Sequence, residues 1–311
     1  MEVWIPNQKN RLQKTLLGSV PELSTVKDWL KRPIPKAIQQ VLEETKEDLE
    51  SIRSTYEKLG VEVVTYPTET MEDSINVRNC FIVVDDKMYV TDHQKCLDKF
   101  YNTIDKKIFI EDKGPYCPDI YIHDDYAILD RLSDSAYRYW KKELAGKRKI
   151  ITAFNEGHSD AIYCNVADKI WLTNGNALPY EKHWPDIPVM ELSTSNLGDI
   201  NHWSPVEKLL KAQELNKTQG RYLISKHEMN DDDIRFIDQY LKHWVGYCEE
   251  TIFDINISII DQKNVMAISQ NSLVYDKLES LGIKVHKVPF RHGLFWDGGL
   301  HCITNDLERE K

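Results

Sequence analysis

Ile255-Asn-Ile-Ser-Ile-Ile-Asp-Gln-Lys-Asn-Val-Met-Ala267, then Ser272 to Leu281, then Lys284-Val-His-Lys-Val288, is the stretch whose reading decides the fold. Its first part is two β-branched runs about a polar turn, which predicts a hairpin. The apolar spacing from Ser272 predicts a helix, and the last run predicts a strand. Hairpin, helix and strand therefore follow one another within about 35 residues, in the range expected of a repeated structural unit.

Working back along the chain, the same order recurs. Cys80-Phe-Ile-Val-Val-Asp-Asp-Lys-Met-Tyr-Val90 reads as a hairpin turning at Asp85-Asp-Lys, before a helix near Gln94 to Ile104 and a strand at Lys107-Ile-Phe-Ile110. Asp119 to Leu129 is a second hairpin, followed by a helix from Ser135 to Leu144 and a strand at Lys149-Ile-Ile-Thr152. Asp160 to Thr173 is another. Near the N-terminus, Thr15-Leu-Leu-Gly is a short strand. A long amphipathic helix then runs from about Pro35 to Leu59, is capped by Gly60 and leads to Val61-Glu-Val-Val-Thr65. The pattern predicts an α/β protein built as a radial array of ββαβ modules. No Gly-x-Gly-x-x-Gly or phosphate loop opens a helix, which counts against a doubly wound dinucleotide fold. One segment breaks the rhythm: between Ser195 and Glu250 two helical patterns, Pro205 to Leu215 and Asp231 to Cys248, flank the short strand Tyr222-Leu-Ile-Ser.

The 311 residues carry 50 Asp plus Glu against 40 Lys plus Arg. That acidic balance argues against a nucleic-acid partner and fits a small-molecule ligand better. Six cysteines, with no Cys-x-x-Cys pair and no Cys/His cluster at zinc spacing, make neither a disulfide scaffold nor a structural metal site. The N-terminus lacks the apolar core of a signal peptide, and no run reaches the ~20 apolar residues of a membrane helix. A cytoplasmic protein with reduced thiols, no membrane partner, no metal and no cofactor is expected.

Two positions stand out as chemistry. Cys302, in Gly298-Gly-Leu-His-Cys302, follows a glycine pair that can feed a short apolar strand and hold the thiol at the mouth of a pocket; an ordinary buried thiol gives the same sequence. His158, in Phe154-Asn-Glu-Gly-His158-Ser-Asp160, can serve as the general acid/base of a cysteine mechanism, with Asp160 gripping a cationic substrate. A loop with a turn-forming Asp is the plainer alternative. Polar residues also begin the other hairpins, Arg78-Asn79 before one and Asp119 before the next; in a radial array these entrances converge on one cavity, although each alone reads equally as a turn or cap. Arg291 is either a carboxylate binder or a solvated strand end.

Taken together, Asn155-x-x-His158-x-Asp160-Ala and Gly298-Gly-Leu-His-Cys302-x-Thr-x-Asp306 resemble the glycine amidinotransferase family of the pentein superfamily. Asn256, the Lys277-Leu-Glu-Ser-Leu-Gly-Ile-Lys-Val run and Arg291 follow that pattern in order, and Leu12 to Gly18 and Val77-Arg-Asn79-Cys-Phe-Ile-Val-Val are similar to it as well. The resemblance implies one pentein domain over 1–311, a five-bladed α/β propeller of ββαβ modules with pseudo-fivefold symmetry, with a helical insertion at about 195–250. It implies an amidinotransferase moving an amidino group from arginine or a related guanidino donor to a small amine such as glycine. Cys302 would be the nucleophile and His158 the acid/base, with Asp119 among the catalytic groups. Asp160, Asn79, Asn155, Arg291 and Cys117 would line the substrate, and a homodimer is the oligomer the resemblance suggests. Two positions depart from the pattern. Asn79 stands where the family has Asp. In Tyr116-Cys117-Pro-Asp119 the family's first Asp, the partner of the catalytic His, has no counterpart, and Asp119 matches either the second Asp or, shifted, the first. A guanidino hydrolase and a non-catalytic binding pentein are the alternatives.

Overall fold

The computed structural model describes residues 1–30, 33–34, 36–66, 75–90, 97–110, 117–123, 125–130, 132–155, 158–175, 177–192, 254–268, 272–296 and 298–311. Among the described residues, fifteen strands form five three-stranded sheets. The first sheet has β1 (Leu12–Leu17) between β15 (Thr304–Arg309) and β2 (Glu62–Val64). The second is β3 (Phe81–Val84), β4 (Lys87–Val90) and β5 (Lys107–Phe109), and the third is β6 (Ile120–His123), β7 (Tyr126–Asp130) and β8 (Lys149–Ala153). The fourth is β9 (Tyr163–Val166), β10 (Ile170–Thr173) and β11 (Val189–Glu191), and the fifth is β12 (Ser258–Asp261), β13 (Asn264–Ala267) and β14 (Lys284–Lys287). In all five the middle strand pairs antiparallel on one side and parallel on the other. A parallel partner needs a crossover; helices read from the sequence supply it in four of the five sheets, and between β10 and β11 the connection carries a single helical turn, Tyr180–His183, that the sequence reading did not name.

Among the described residues, five apolar clusters lie between adjacent sheets, and strand periodicity explains them. In β3, Ile82 and Val84 pack with Ile120, Ile122 and Trp140 of the third sheet's unit, while Phe81 and Val83 pack with Leu16 and Leu307 of the first. Successive side chains point to opposite faces, so a strand buried on both sides reads as an unbroken apolar run, here Phe-Ile-Val-Val. The remaining clusters join the third sheet to the fourth, the fourth to the fifth and the fifth back to the first. Each sheet thus shares a core with two neighbours, and the ring closes.

Several elements differ from their sequence reading. The first strand extends back to Leu12, and a helix at Leu23–Leu30 precedes the long helix, observed at Lys36–Lys58. Gly60 closes the long helix at φ +78°, as its position predicts. Asp160-Ala-Ile belongs to a single helical turn, Ser159–Ile162, rather than to a strand. Leu300 to Ile303 forms a turn, and the strand begins two residues after Cys302 because β15 must register with β1, Leu17 opposite Thr304. The helix near Gln94 to Ile104 is described from Leu97 and is α-helical over Asp98–Tyr101. The helices and strand read between 205 and 248 lie outside the described residues. Among the described residues, no helix is long and apolar enough to cross a membrane.

Candidate active site

Each inner strand of the ring is preceded by a tight turn carrying polar side chains. Val77–Asn79 precedes β3, Cys117–Asp119 precedes β6 and Ser159–Ile162 precedes β9. Asp254 to Ile257 leads into β12, and Leu300 to Ile303 leads into β15. Three of these turns pack on one another: Val77–Asn79 against Cys117–Asp119, and Cys117–Asp119 against Ser159–Ile162. Radial placement of the blades therefore gathers residues far apart in sequence.

The closest constellation is built on Cys302, Asp160, Asn256 and His301. Cys302 is 2% exposed. Its Sγ accepts a hydrogen bond from Asn256 Nδ2 at 3.0 Å and donates to Asp160 Oδ2 at 3.6 Å. Asn256 Oδ1 accepts the backbone N–H groups of His301 (2.8 Å) and Cys302 (3.1 Å), so one amide fixes both the turn and the sulfur. His301 Nδ1 lies 2.9 Å from Asp160 Oδ2. Asp160 is buried, and its Oδ1 has no hydrogen-bond partner.

The glycine pair allows this approach. A Cβ on Gly299 would stand 2.7 Å from both Cβ and Oδ1 of Asn256, and one on Gly298 would stand 2.9 Å from Cys302 Cβ and from Asn76 Oδ1. Real Cβ atoms do not come so close, so the pair is needed for room rather than for a left-handed backbone. The expected apolar strand is replaced by a turn pinned through Asn256.

Burial pushes the Asp160 carboxyl up, but the His301 hydrogen bond and charge interactions with His301, His158 and Arg78 outweigh it and hold the group below the usual carboxylate range. Burial, aided by the Arg78 charge, keeps His301 below its ordinary value despite Asp160. Asp160 is therefore an ionised carboxylate bound to Nδ1 of the His301 imidazole. Arg78, itself buried, donates its backbone N–H to the Cys302 carbonyl at 3.0 Å and its guanidinium to Asn305 Oδ1 at 3.2 Å. Cys164 offers a contrast: burial, with the Asp160 charge, pushes that thiol up to about 12 and disfavours its thiolate.

His158 occupies the cap position of the Ser159–Ile162 turn, partly buried, and its charge helps hold Asp160 ionised. Asp119 is buried on the neighbouring turn, and Asn79 sits beside Arg78. The Cys117 backbone lies in the same turn as Asp119; its side chain is outside the described residues. Two expected substrate contacts are engaged within the protein. Asn155 gives its backbone N–H (2.9 Å) and Nδ2 (2.7 Å) to the carboxylate of Asp130, which also accepts from Ser159 Oγ at 3.1 Å. Arg291 is bound by the long helix, with Nε 2.9 Å from Asp48 Oδ1 and Nη2 2.7 Å from Glu47 Oε2. Among the described residues, no group of three or more His, Cys, Asp or Glu could hold a metal ion.

Whereas Arg78 was singled out with Asn79 at a hairpin entrance, Asn256, His301 and Asp130 escaped the sequence reading as site residues. Asn256 was reachable, since it stands two residues before β12 as Cys302 stands two before β15. The others are legible only from contacts between blades.

The architecture matches solved structures along nearly its whole length. The inosamine-phosphate amidinotransferase StrB1 from Streptomyces griseus aligns with a TM-score of 0.67 at 14% identity, covering 99% of this chain and 97% of that one. SxtG, an amidinotransferase from Microseira wollei in the saxitoxin biosynthetic pathway, aligns at 0.66 and 13%, covering 99% and 98%. The chain has the pentein fold. DDAH from Pseudomonas aeruginosa aligns with it at 0.61 and 13%, covering 96% of this chain and all of that one (100%). In sequence, the mitochondrial glycine amidinotransferase of Danio rerio is 42% identical over 55 residues, which is 18% of this chain and 13% of the relative's length. No family model matches.

Proposed function

We propose that this pentein is an amidinotransferase acting through a covalent amidino-cysteine, with arginine or a related guanidine as donor and a small amine such as glycine as acceptor. One observation carries the reading: Cys302 Sγ lies between an amide donor, Asn256 Nδ2, and an ionised carboxylate, Asp160, with one unpartnered oxygen. A donor to sulfur favours thiolate and a bare carboxylate disfavours it. A guanidinium seated on Asp160 reverses the second effect and brings its carbon to the sulfur.

In the proposed reaction the Cys302 thiolate forms a bond to the guanidino carbon, and His158 gives its proton to the departing nitrogen as the C–N bond breaks. The amidino group remains on Sγ as a cation, which Asp160 continues to hold. His158 then takes a proton from the incoming amine as its nitrogen bonds to the same carbon, the C–S bond breaks and the thiolate returns. The electrophile is already cationic, so the intermediate develops no oxyanion. The short match to glycine amidinotransferase and the amidinotransferase neighbours support this chemistry.

The test is incubation of the protein with labelled arginine and a panel of amines including glycine. A new guanidino compound and a one-amidino adduct on Cys302 are expected, both absent in Cys302→Ala. Urea or ammonia release without an amine would replace the transferase with a hydrolase. An absence of product and adduct with every donor would sink both.

A further inference from the structure

Asp160 Oδ2 makes two interactions at once, with His301 Nδ1 at 2.9 Å and with the Cys302 thiol at 3.6 Å. Its other oxygen is buried and makes none. The torsion that turns an Asp carboxylate is soft, so nothing intrinsic to Asp160 keeps one oxygen inward and the other bare. His301 supplies that constraint. Its own backbone N–H is held by Asn256 Oδ1 at 2.8 Å, in the same turn as the nucleophile. The imidazole thus ties the carboxylate to the frame that fixes Cys302.

We propose that His301 is a positioning residue which selects planar cations for Cys302: by pinning Asp160 Oδ2 it leaves Oδ1 as the oxygen that accepts an N–H of an incoming guanidinium or amidinium. The inference rests on Asp160 being the cation seat of the proposed reaction. A neutral electrophile makes no use of Oδ1, so His301 favours cationic reagents over neutral ones at the same sulfur.

Alkylation of Cys302 measures this selectivity without a transfer step. In 2-chloroacetamidine, a cation, and in iodoacetamide, which is neutral, Sγ forms a bond to the methylene carbon as the halide leaves. The ratio of the two rates, divided by the same ratio for glutathione, is the readout. His301→Ala and His301→Phe, the latter keeping a ring without a donor, are expected to lower it about tenfold, in line with a lost hydrogen bond to a charged group. His301→Asn keeps an N–H donor near the Nδ1 position and is expected to restore it to within about threefold of wild type. A ratio unchanged in both donorless variants, or His301→Asn no better than they are, overturns the positioning role. A wild-type ratio no higher than that of glutathione and unmoved by Asp160→Asn overturns the cation seat itself. A ratio that falls in Asp160→Asn but not in the donorless His301 variants removes the positioning role alone.

Discussion

Asn256 holds Cys302 by both ends of one amide, Oδ1 accepting the Cys302 backbone N–H at 3.1 Å and Nδ2 donating to Sγ at 3.0 Å. The first bond fixes where the cysteine sits and the second stabilises negative charge on its sulfur. Asp160, also in contact with the sulfur, acts against that charge until a cation covers it. Two side chains from two other blades therefore act on the Cys302 sulfur with opposite effect.

Replacing that amide by a carboxylate separates the two effects. Asn256→Asp keeps an acceptor for the two backbone donors but puts a second anionic oxygen beside the sulfur. The Cys302 thiol should titrate at least about one unit higher, which slows iodoacetamide alkylation near neutral pH about tenfold. The pH dependence of the alkylation rate measures this, and an unshifted profile would refute a role for Asn256 in stabilising the thiolate.

The glycine pair gives a steric prediction. Gly299→Ala drives a methyl into Asn256, whose amide cannot move without releasing both backbone donors. Overpacking of this kind typically costs about 1–3 kcal/mol, and the displaced Cys302 should lose most of its reactivity. Gly175 has no atom within 4 Å of its would-be Cβ, and its backbone is not left-handed. Gly175→Ala should leave the denaturation midpoint and the alkylation rate nearly unchanged. Equal midpoints for the two variants would mean that close approach is not what Gly299 provides.

Modules with a continuous apolar hairpin, such as Phe81 to Val90, were legible because burial on both faces writes itself into consecutive residues. The first blade hides better, since β1 pairs with β15, nearly three hundred residues away, and no local pattern records that pairing. Cys302 and His158 could be singled out beside glycines, and Asp160 two residues on. Asn256 and His301 act through contacts across blades, and Asn and His occur in too many turns to be chosen by type. Asn155 and Arg291 show the converse. Their polar groups looked available in the sequence, but Asp130 and Asp48, buried carboxylates on other elements, take them up.

Acid should destabilise this protein in two stages. His301 and His292 are held below their ordinary values, chiefly by burial. They bind protons more readily when unfolded, so the stability they contribute is lost as pH falls below the unfolded value of about 6.5. Asp168 is lowered to about 2: burial raises it, but hydrogen bonds from His123 and Lys9 outweigh that. Its contribution is present above the unfolded value of about 3.9 and is lost on descending toward the folded one. Urea midpoints should fall from about pH 6.5 to 5 and again below about pH 4. Asp168→Asn should flatten the second fall, and its backbone, at φ +58°, is one that Asn tolerates. A midpoint constant from pH 7 to 5 would show that the two histidines are not held neutral.

Arg291 separates a structural clamp from a substrate contact. Asp48 is 1% exposed and accepts the Arg291 backbone N–H at 2.7 Å as well as Nε at 2.9 Å, so it depends on that arginine for charge compensation. Because the Arg291 side chain is 41% exposed, Arg291→Ala should cost only about 1–3 kcal/mol of stability. As a clamp on the segment leading to Gly298, it should disturb every donor alike. As a carboxylate binder, it should raise KM for arginine while sparing decarboxylated arginine, which has the same guanidinium and no carboxylate. The bonds to Asp48 and Glu47 favour the clamp, and equal changes in KM for the two donors, together with a lowered denaturation midpoint, are the expected result.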